Sequence, residues 1–285
     1  MTMKPKVIAV VGPTASGKTK LAIKLAHKYN GEVISADSRL VYKGFDIASA
    51  KPTMEEREGV LHHLIDIVEP EVDYTAGDYV RDAKIAIEDI VSKGKTPIVA
   101  GGTGLYFRVL LEHYNLPQVD TNYELRAELE QKSKEELIEE LRILDRQAYE
   151  NLSKDISKRR IIRILELINT MNKPLSEIET QKEPEYDTEW IMPEIPSREW
   201  LYDRINKRVD IMYEQGVVEE TKQLLEKHGR ISNFTETIGY KEILAYLDGE
   251  WTLEEALDKL KQHTRNYAKR QLTWFRKNPH LRVNI

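Results

Sequence analysis

The chain has 285 residues, 40% apolar and 32% charged, a balance that supports a packed core and excludes a disordered chain. It has no cysteine, which excludes disulfide staples and thiolate zinc sites and fits a reducing cytoplasm. The net charge of −5 does not announce a nucleic-acid partner, yet eight Lys or Arg and no Asp or Glu fall between Lys259 and Ile285. That block reads equally as a solvated helix face or as an electrostatic footprint for phosphates. Met1–Lys6 does not read as a signal peptide, and no stretch approaches a membrane span.

In chain order, Val7–Val11 is a short apolar run ending at Gly12 and predicts a buried strand. Thr19–Tyr29 predicts a helix with Leu21, Ala22, Leu25 and Ala26 on one side. Glu32–Ala36 predicts a second strand with Asp37 at its carboxyl end, followed by a helix over Thr75–Lys93. Pro97–Ala100 predicts a third strand, closed by Gly101 and Gly102, and Tyr106–Leu111 a further helix. Strands alternating with helices predict an α/β fold, a phosphate-loop parallel sheet core flanked by helices. Ligands in such sheets bind beyond the carboxyl ends of the strands, where the loops after Val11, Ala36 and Ala100 would meet.

After about Asn115 the character changes. Glu124–Glu150 is charged and helix-forming, with Leu125, Leu129, Leu137, Leu141 and Leu144 as apolar positions, and Arg159–Met171 is a second helical stretch. Prolines accumulate at Pro174, Pro184, Pro193 and Pro196. Residues 116–196 are therefore expected as a mainly helical insertion, with 1–115 and 197–285 forming the core. Helices then run over about Arg198–Lys227, Lys241–Leu247 and Leu253–Arg276.

Gly12, Pro13, Thr14, Ala15, Ser16, Gly17, Lys18 and Thr19 spell GPTASGKT, a phosphate loop between a predicted strand and a predicted helix. Glycines let the backbone turn tightly so that N–H groups converge on phosphate oxygens, and the helix N-terminus adds positive partial charge. Lys18 supplies a full charge, and the Thr19 hydroxyl suits Mg²⁺. The loop recognises a diphosphate without naming it. The third strand ends in Gly-Gly-Thr rather than in an acid, which lowers the case for nucleotide hydrolysis. Asp37 in ISADS suits a general base or Mg²⁺ ligand, and equally a structural hydrogen bond. Thr103 in GGTG could donate to a leaving oxygen or belong to an ordinary loop. His62-His63 reads as a solvated or core-lining pair rather than a metal site.

Taken together, GPTASGKT (12–19), ISADS (34–38), DIASAKPT (46–53), PIVAGGTGLYF (97–107), RRIIR (159–163), IGYKE (238–242) and TRNYAKRQLTWFR (264–276) resemble the bacterial tRNA dimethylallyltransferase, or tRNA isopentenyltransferase, family. They run in that family's order over nearly the whole chain. The resemblance implies transfer of a dimethylallyl group from dimethylallyl diphosphate to N6 of the adenosine just 3′ of the anticodon. It implies Mg²⁺ as cofactor, Asp37 as the base, Thr103 on the released oxygen, and Lys18 with the loop amides on the diphosphate. Arg204 and Arg208, four apart on one predicted helix face, offer Arg208 to the diphosphate or a surface salt bridge. The resemblance further places tRNA contacts at Asp37, Ser38, Arg39, Leu40, Thr103, Arg126, Arg159, Arg160, Arg163, Gly239, Tyr240 and Lys241. The anticodon stem-loop would then be gripped by insertion and core. A monomer acting in the cytoplasm, away from membranes, is expected. Leu40 stands where the family often has glutamine, Asp145-Arg146 where it often has Asp-Pro, and Ser157 where it has Asp or Asn. The competing readings are a P-loop kinase or adenylate prenyltransferase acting on a small nucleotide, and an RNA-binding NTPase switch without a product.

Overall fold

β1 (Lys6–Val11) is apolar throughout except for its exposed first residue, as a strand covered on both faces requires. In the computed structural model, which describes residues 4–117, 119, 121–153, 155–178, 181–278 and 280–284, it lies inside a six-stranded sheet. The other strands are β2 (Gly31–Ala36), β3 (His62–His63), β4 (Thr96–Gly101), β5 (Asp187–Pro193) and β6 (Leu281–Asn284), in the spatial order β3-β2-β4-β1-β5-β6. Every pairing is parallel, for example Ala9 against Val99 on one side and Trp190 on the other.

α1 (Lys18–Tyr29) covers one face, packing Leu21, Ala22 and Leu25 on Val10, Val33 and Ile98. The other face is covered by α2 (Ala76–Ser92) and α3 (Gly104–Leu111), whose Tyr79 and Tyr106 rings stack at 3.9 Å between centroids. A capping box of Thr75 and Asp78 fixes the start of α2.

The chain divides into two units, one of 1–112 and 184–285, the other His113–Glu183. The helical unit is thus shorter than the 116–196 expected. The segment Asp187–Pro193, expected inside it, is a strand beside β1. Its composition hides it: polar residues lead, a proline ends it, and only the alternation of Tyr186, Trp190 and Met192 into the core marks a strand.

Within the helical unit the stretch expected as one helical region is three helices, α4 (Tyr123–Gln131), α5 (Lys134–Leu144) and α6 (Arg146–Glu150). Ser133 and Asp145 interrupt it because each caps a new helix, on Glu136 N and Ala148 N respectively. α7 (Lys158–Met171) joins them around Leu129, Leu137, Leu141, Ile161 and Leu165.

In the larger unit, α8 (Arg198–Glu214) and α9 (Val217–His228) replace the single helix expected over Arg198–Lys227. The break is Gly216, at φ 96°. α10 (Ser232–Thr235), α11 (Tyr240–Leu247) and the long α12 (Leu253–Phe275) follow. No described helix is long and apolar enough to cross a membrane.

Candidate active site

The loops after β1, β2 and β4 meet at the carboxyl edge of the sheet, and one face of α12 lies against them. Between them is a cavity of about 370 Å³, room for a small organic ligand. Its charged lining is mainly cationic: Lys18, Arg39, Arg208 and Arg270 against Asp37 and Glu236. An anion is the ligand such a lining favours.

In the phosphate loop Ala15 (φ 61°) and Gly17 (φ 92°) both take the left-handed conformation. Alternating handedness of this kind aims successive N–H groups into one concavity. α1 starts directly after Gly17 with no side-chain cap, so its first N–H groups are left for a ligand. Thr14, Lys18 and Thr19 line the cavity, whereas Gly12, Pro13, Ala15, Ser16 and Gly17 shape the backbone around it. The Ser16 hydroxyl is buried without a hydrogen-bond partner among the described residues.

Lys18 Nζ donates to Pro13 O at 3.2 Å. The residue is partly exposed by area but crowded by protein. Desolvation therefore pulls its pKa down to about 8, with Asp37 opposing and Arg208 adding to the fall. Arg208 reaches from α8 to Thr14 Oγ1 at 3.4 Å and Ala50 O at 3.3 Å. No carboxylate pairs with it among the described residues, so the surface salt-bridge reading of Arg208 does not hold. Burial lowers the Arg208 pKa, and Asp37 works against that. Arg204 is turned elsewhere: its Nε donates to Ala15 O at 2.7 Å, and its guanidinium lies over the Trp200 ring.

Asp37, Ser38, Arg39 and Leu40 all line the cavity opposite the phosphate loop. Asp37 Oδ1 accepts the Arg39 N–H at 2.9 Å, which holds the carboxylate in a local turn. Thr103 does not line the cavity. Its Oγ1 accepts the Ser38 N–H at 3.1 Å and meets the Tyr267 side chain. Burial, then the nearby Asp37 charge, keeps the Tyr267 phenol protonated well above its ordinary range.

α12 supplies groups to which sequence reasoning gave no role. Leu260, Thr264, Tyr267 and Gln271 follow one another at helical spacing and line the cavity. Gln271 Oε1 accepts the Thr14 N–H at 2.8 Å while its Nε2 donates to Gly102 O at 3.0 Å, so one amide ties two loops together. In TRNYAKRQLTWFR the spacing of Thr264, Tyr267 and Gln271 marks a shared helix face but does not say what that face meets.

The remaining expected residues are dispersed. Tyr240 is fully buried among Phe45 and Phe234, so its ring is not offered to solvent, and Gly239 beside it is buried too. Lys241 is exposed. In the helical unit Arg126 grips Glu166 with two bonds, at 2.9 and 2.8 Å, and Arg163 adds a third at 2.5 Å. Arg159 and Arg160 are exposed at the start of α7. His62 lines the cavity, whereas His63 stands with Glu32 and Asp89 in a cluster of possible metal ligands away from it. His63 bonds Glu32 near the amino end of β2, where Lys93 and Lys95 already answer that carboxylate.

A sequence model of the family described as IPP transferase matches residues 40–278. The chain is 49% identical to the tRNA dimethylallyltransferase of Streptococcus thermophilus, over 96% of this chain and 89% of the relative. To that of Acetivibrio thermocellus it is 47% identical, over 95% and 88%. Among solved structures it resembles the full-length tRNA isopentenylpyrophosphate transferase of Bacillus halodurans at 41% identity, with a TM-score of 0.74 over 99% of this chain and 90% of that one. A eukaryotic dimethylallyltransferase captured acting on tRNA gives a TM-score of 0.83 at 33% identity, over 95% and 70%.

Proposed function

This chain belongs to the IPP transferase family, and we propose that it transfers a dimethylallyl group from dimethylallyl diphosphate to N6 of the adenosine 3′ of the anticodon in tRNA. The observation that carries the reading is a cavity lined by a phosphate loop, by Arg208, which has no carboxylate partner among the described residues, and by the Asp37 carboxylate. A kinase or NTPase switch uses such a loop for ATP, but it has no call for a base facing the loop together with a tRNA-sized partner.

The adenine amine is a poor nucleophile because its lone pair is conjugated with the ring. It forms the N6–C1 bond as the C1–O bond to diphosphate breaks, and its proton passes to Asp37. A positioned base of this kind contributes on the order of 10²–10⁴-fold. The bonding electrons leave with the diphosphate, whose charge meets the loop amides, Lys18 and Arg208. Thr103 supports this indirectly by holding Ser38, and Gln271 by holding Thr14. The family points to a divalent metal. The Thr19 hydroxyl suits Mg²⁺, which when bound would neutralise leaving-group charge.

The base must leave its stack to enter the cavity, at a cost of a few kcal/mol. Phosphate contacts from the exposed Arg159, Arg160 and Lys241, and from the outward parts of Arg126 and Arg163, offset that cost. We read the chain as a monomer acting in the cytoplasm, a reading supported by one copy carrying every group named.

The test is incubation with dimethylallyl diphosphate, Mg²⁺ and unmodified tRNA, then nuclease digestion and mass spectrometry. Prenylated adenosine is expected. No product with any tRNA bearing an A-rich anticodon loop defeats the reading.

A further inference from the structure

The segment between β2 and β3 forms one lip of the cavity through Ala48, Ser49 and Ala50. Its backbone makes a tight turn closed by Ala50 at φ 53°, with Ala50 N–H on Ile47 O and Lys51 N–H on Asp46 O, both at 2.9 Å. A turn of this kind has unpaired N–H groups at its start. Two of them, on Ile47 and Ala48, donate to Glu220 of α9 at 2.8 and 3.1 Å. The Tyr240 hydroxyl donates a third bond to Glu220 at 2.7 Å.

No cation pairs with Glu220 among the described residues, and the charge acting on it is that of Asp46, which has the same sign. Glu220 is partly sheltered, and among the described residues three neutral donors are what answers its carboxylate. The far end of the same turn is where Arg208 is held: Ala50 O accepts its Nη2, while its Nη1 reaches Thr14 in the phosphate loop. α11 abuts the turn so closely that a side chain at Gly239 (φ 107°) would put its Cβ 2.7 Å from that of Ala48. The lip is thus backed by α11 on one side and bonded to Glu220 of α9.

We infer that Glu220 is a positioning residue: its carboxylate locks the 46–50 turn and, through Ala50, sets the Arg208 guanidinium where the diphosphate is to lie. The inference rests on the reading of the cavity as a prenyl diphosphate site. It also gives the buried Tyr240 a task that does not require contact with RNA.

The test is a double-mutant cycle. Pyrophosphate affinity is measured by calorimetry, with kcat and KM for dimethylallyl diphosphate and for tRNA, in the wild type, Glu220→Gln, Arg208→Ala and the double variant. Glu220→Gln should weaken pyrophosphate binding and raise the dimethylallyl diphosphate KM about tenfold, the scale of a charge-assisted bond, with the tRNA KM unmoved. In the Arg208→Ala background the same change should cost less than about twofold, because both act through one contact. Equal losses in both backgrounds, or a loss confined to tRNA, overturn the inference. If Glu220→Gln does not fold, Tyr240→Phe removes one of the three donors and goes through the same cycle under the same criteria. A wild type that binds no pyrophosphate and makes no product defeats the site reading itself. One that does both, with an additive cycle, defeats only the role of Glu220.

Discussion

Lys18 keeps its ammonium in a cavity shared with Arg208, and crowding sets its pKa at about 8. The ionised form is the one that attracts a diphosphate. The Lys18 contribution to pyrophosphate affinity, wild type against Lys18→Met, should therefore shrink as the pH rises through about 8, where the free protein loses the proton. A bound anion restores the charge, so binding near pH 8 should take up protons, read as a dependence of calorimetric heat on buffer ionisation enthalpy. Lys18→Met should abolish this uptake, and a pH-independent difference between wild type and variant would contradict the assignment. Asp37→Asn should lower kcat by about 10²–10⁴-fold and leave tRNA affinity within a few-fold, checked by single-turnover kinetics and filter binding. Asp37, Lys18, Thr14 and Thr19 could be read from the sequence because each sits at a fixed offset from a strand end or a glycine turn. Gln271 could not be assigned in that way: its bond to Thr14 spans 257 positions, and no local pattern encodes such a contact.

Elements were legible where periodicity was clean and illegible where single residues decide. β1, β2, β4 and α2 follow from apolar runs and caps, whereas β5 opens on polar residues and β3 is two residues long. The breaks at Ser133, Asp145 and Gly216 depend on cap bonds and a positive φ that a run of helix formers conceals. At α7, Glu166 is fully buried and tied to Arg126, Arg163 and the Asn122 N–H. Burial alone would raise its pKa, but these bonds outweigh it and hold the carboxyl below its ordinary 4.5. A depressed carboxylate contributes stability that is full above the unfolded pKa and is lost as the pH falls through the folded one. The helical unit should therefore loosen below about pH 4.5, followed by circular dichroism and amide exchange of residues 113–183. Glu166→Ala should cost about 2 kcal/mol, less than the ~3–5 kcal/mol of a fully buried pair because both arginines are partly exposed. A change near zero would show that the cluster is only decorative.

At the scale of the whole molecule, an acidic chain must hold a polyanion, so the distribution of charge matters more than its sum. The C-terminal block is divided in its duties. Lys261 is spent on Asp210 at 2.7 Å and Arg265 on Asn206 at 2.6 Å, whereas Arg270 faces the cavity. Lys269 and Lys277 flank a surface hollow with the half-exposed Trp274. Lys261 and Arg265 are thus held within the protein while Arg270 faces the cavity, a division that charge counting cannot make. Affinity for tRNA should fall steeply between about 50 and 200 mM salt, as counterion release requires, and a flat response would point to a small nucleotide as acceptor.

The claim on which the chemistry depends is that this phosphate loop serves an isoprenoid diphosphate and not ATP. Isothermal titration of the intact chain, with Mg²⁺ present, decides it. Saturable binding of dimethylallyl diphosphate and little heat with ATP is the predicted result. Tight capture of ATP with no response to the isoprenoid would contradict the account.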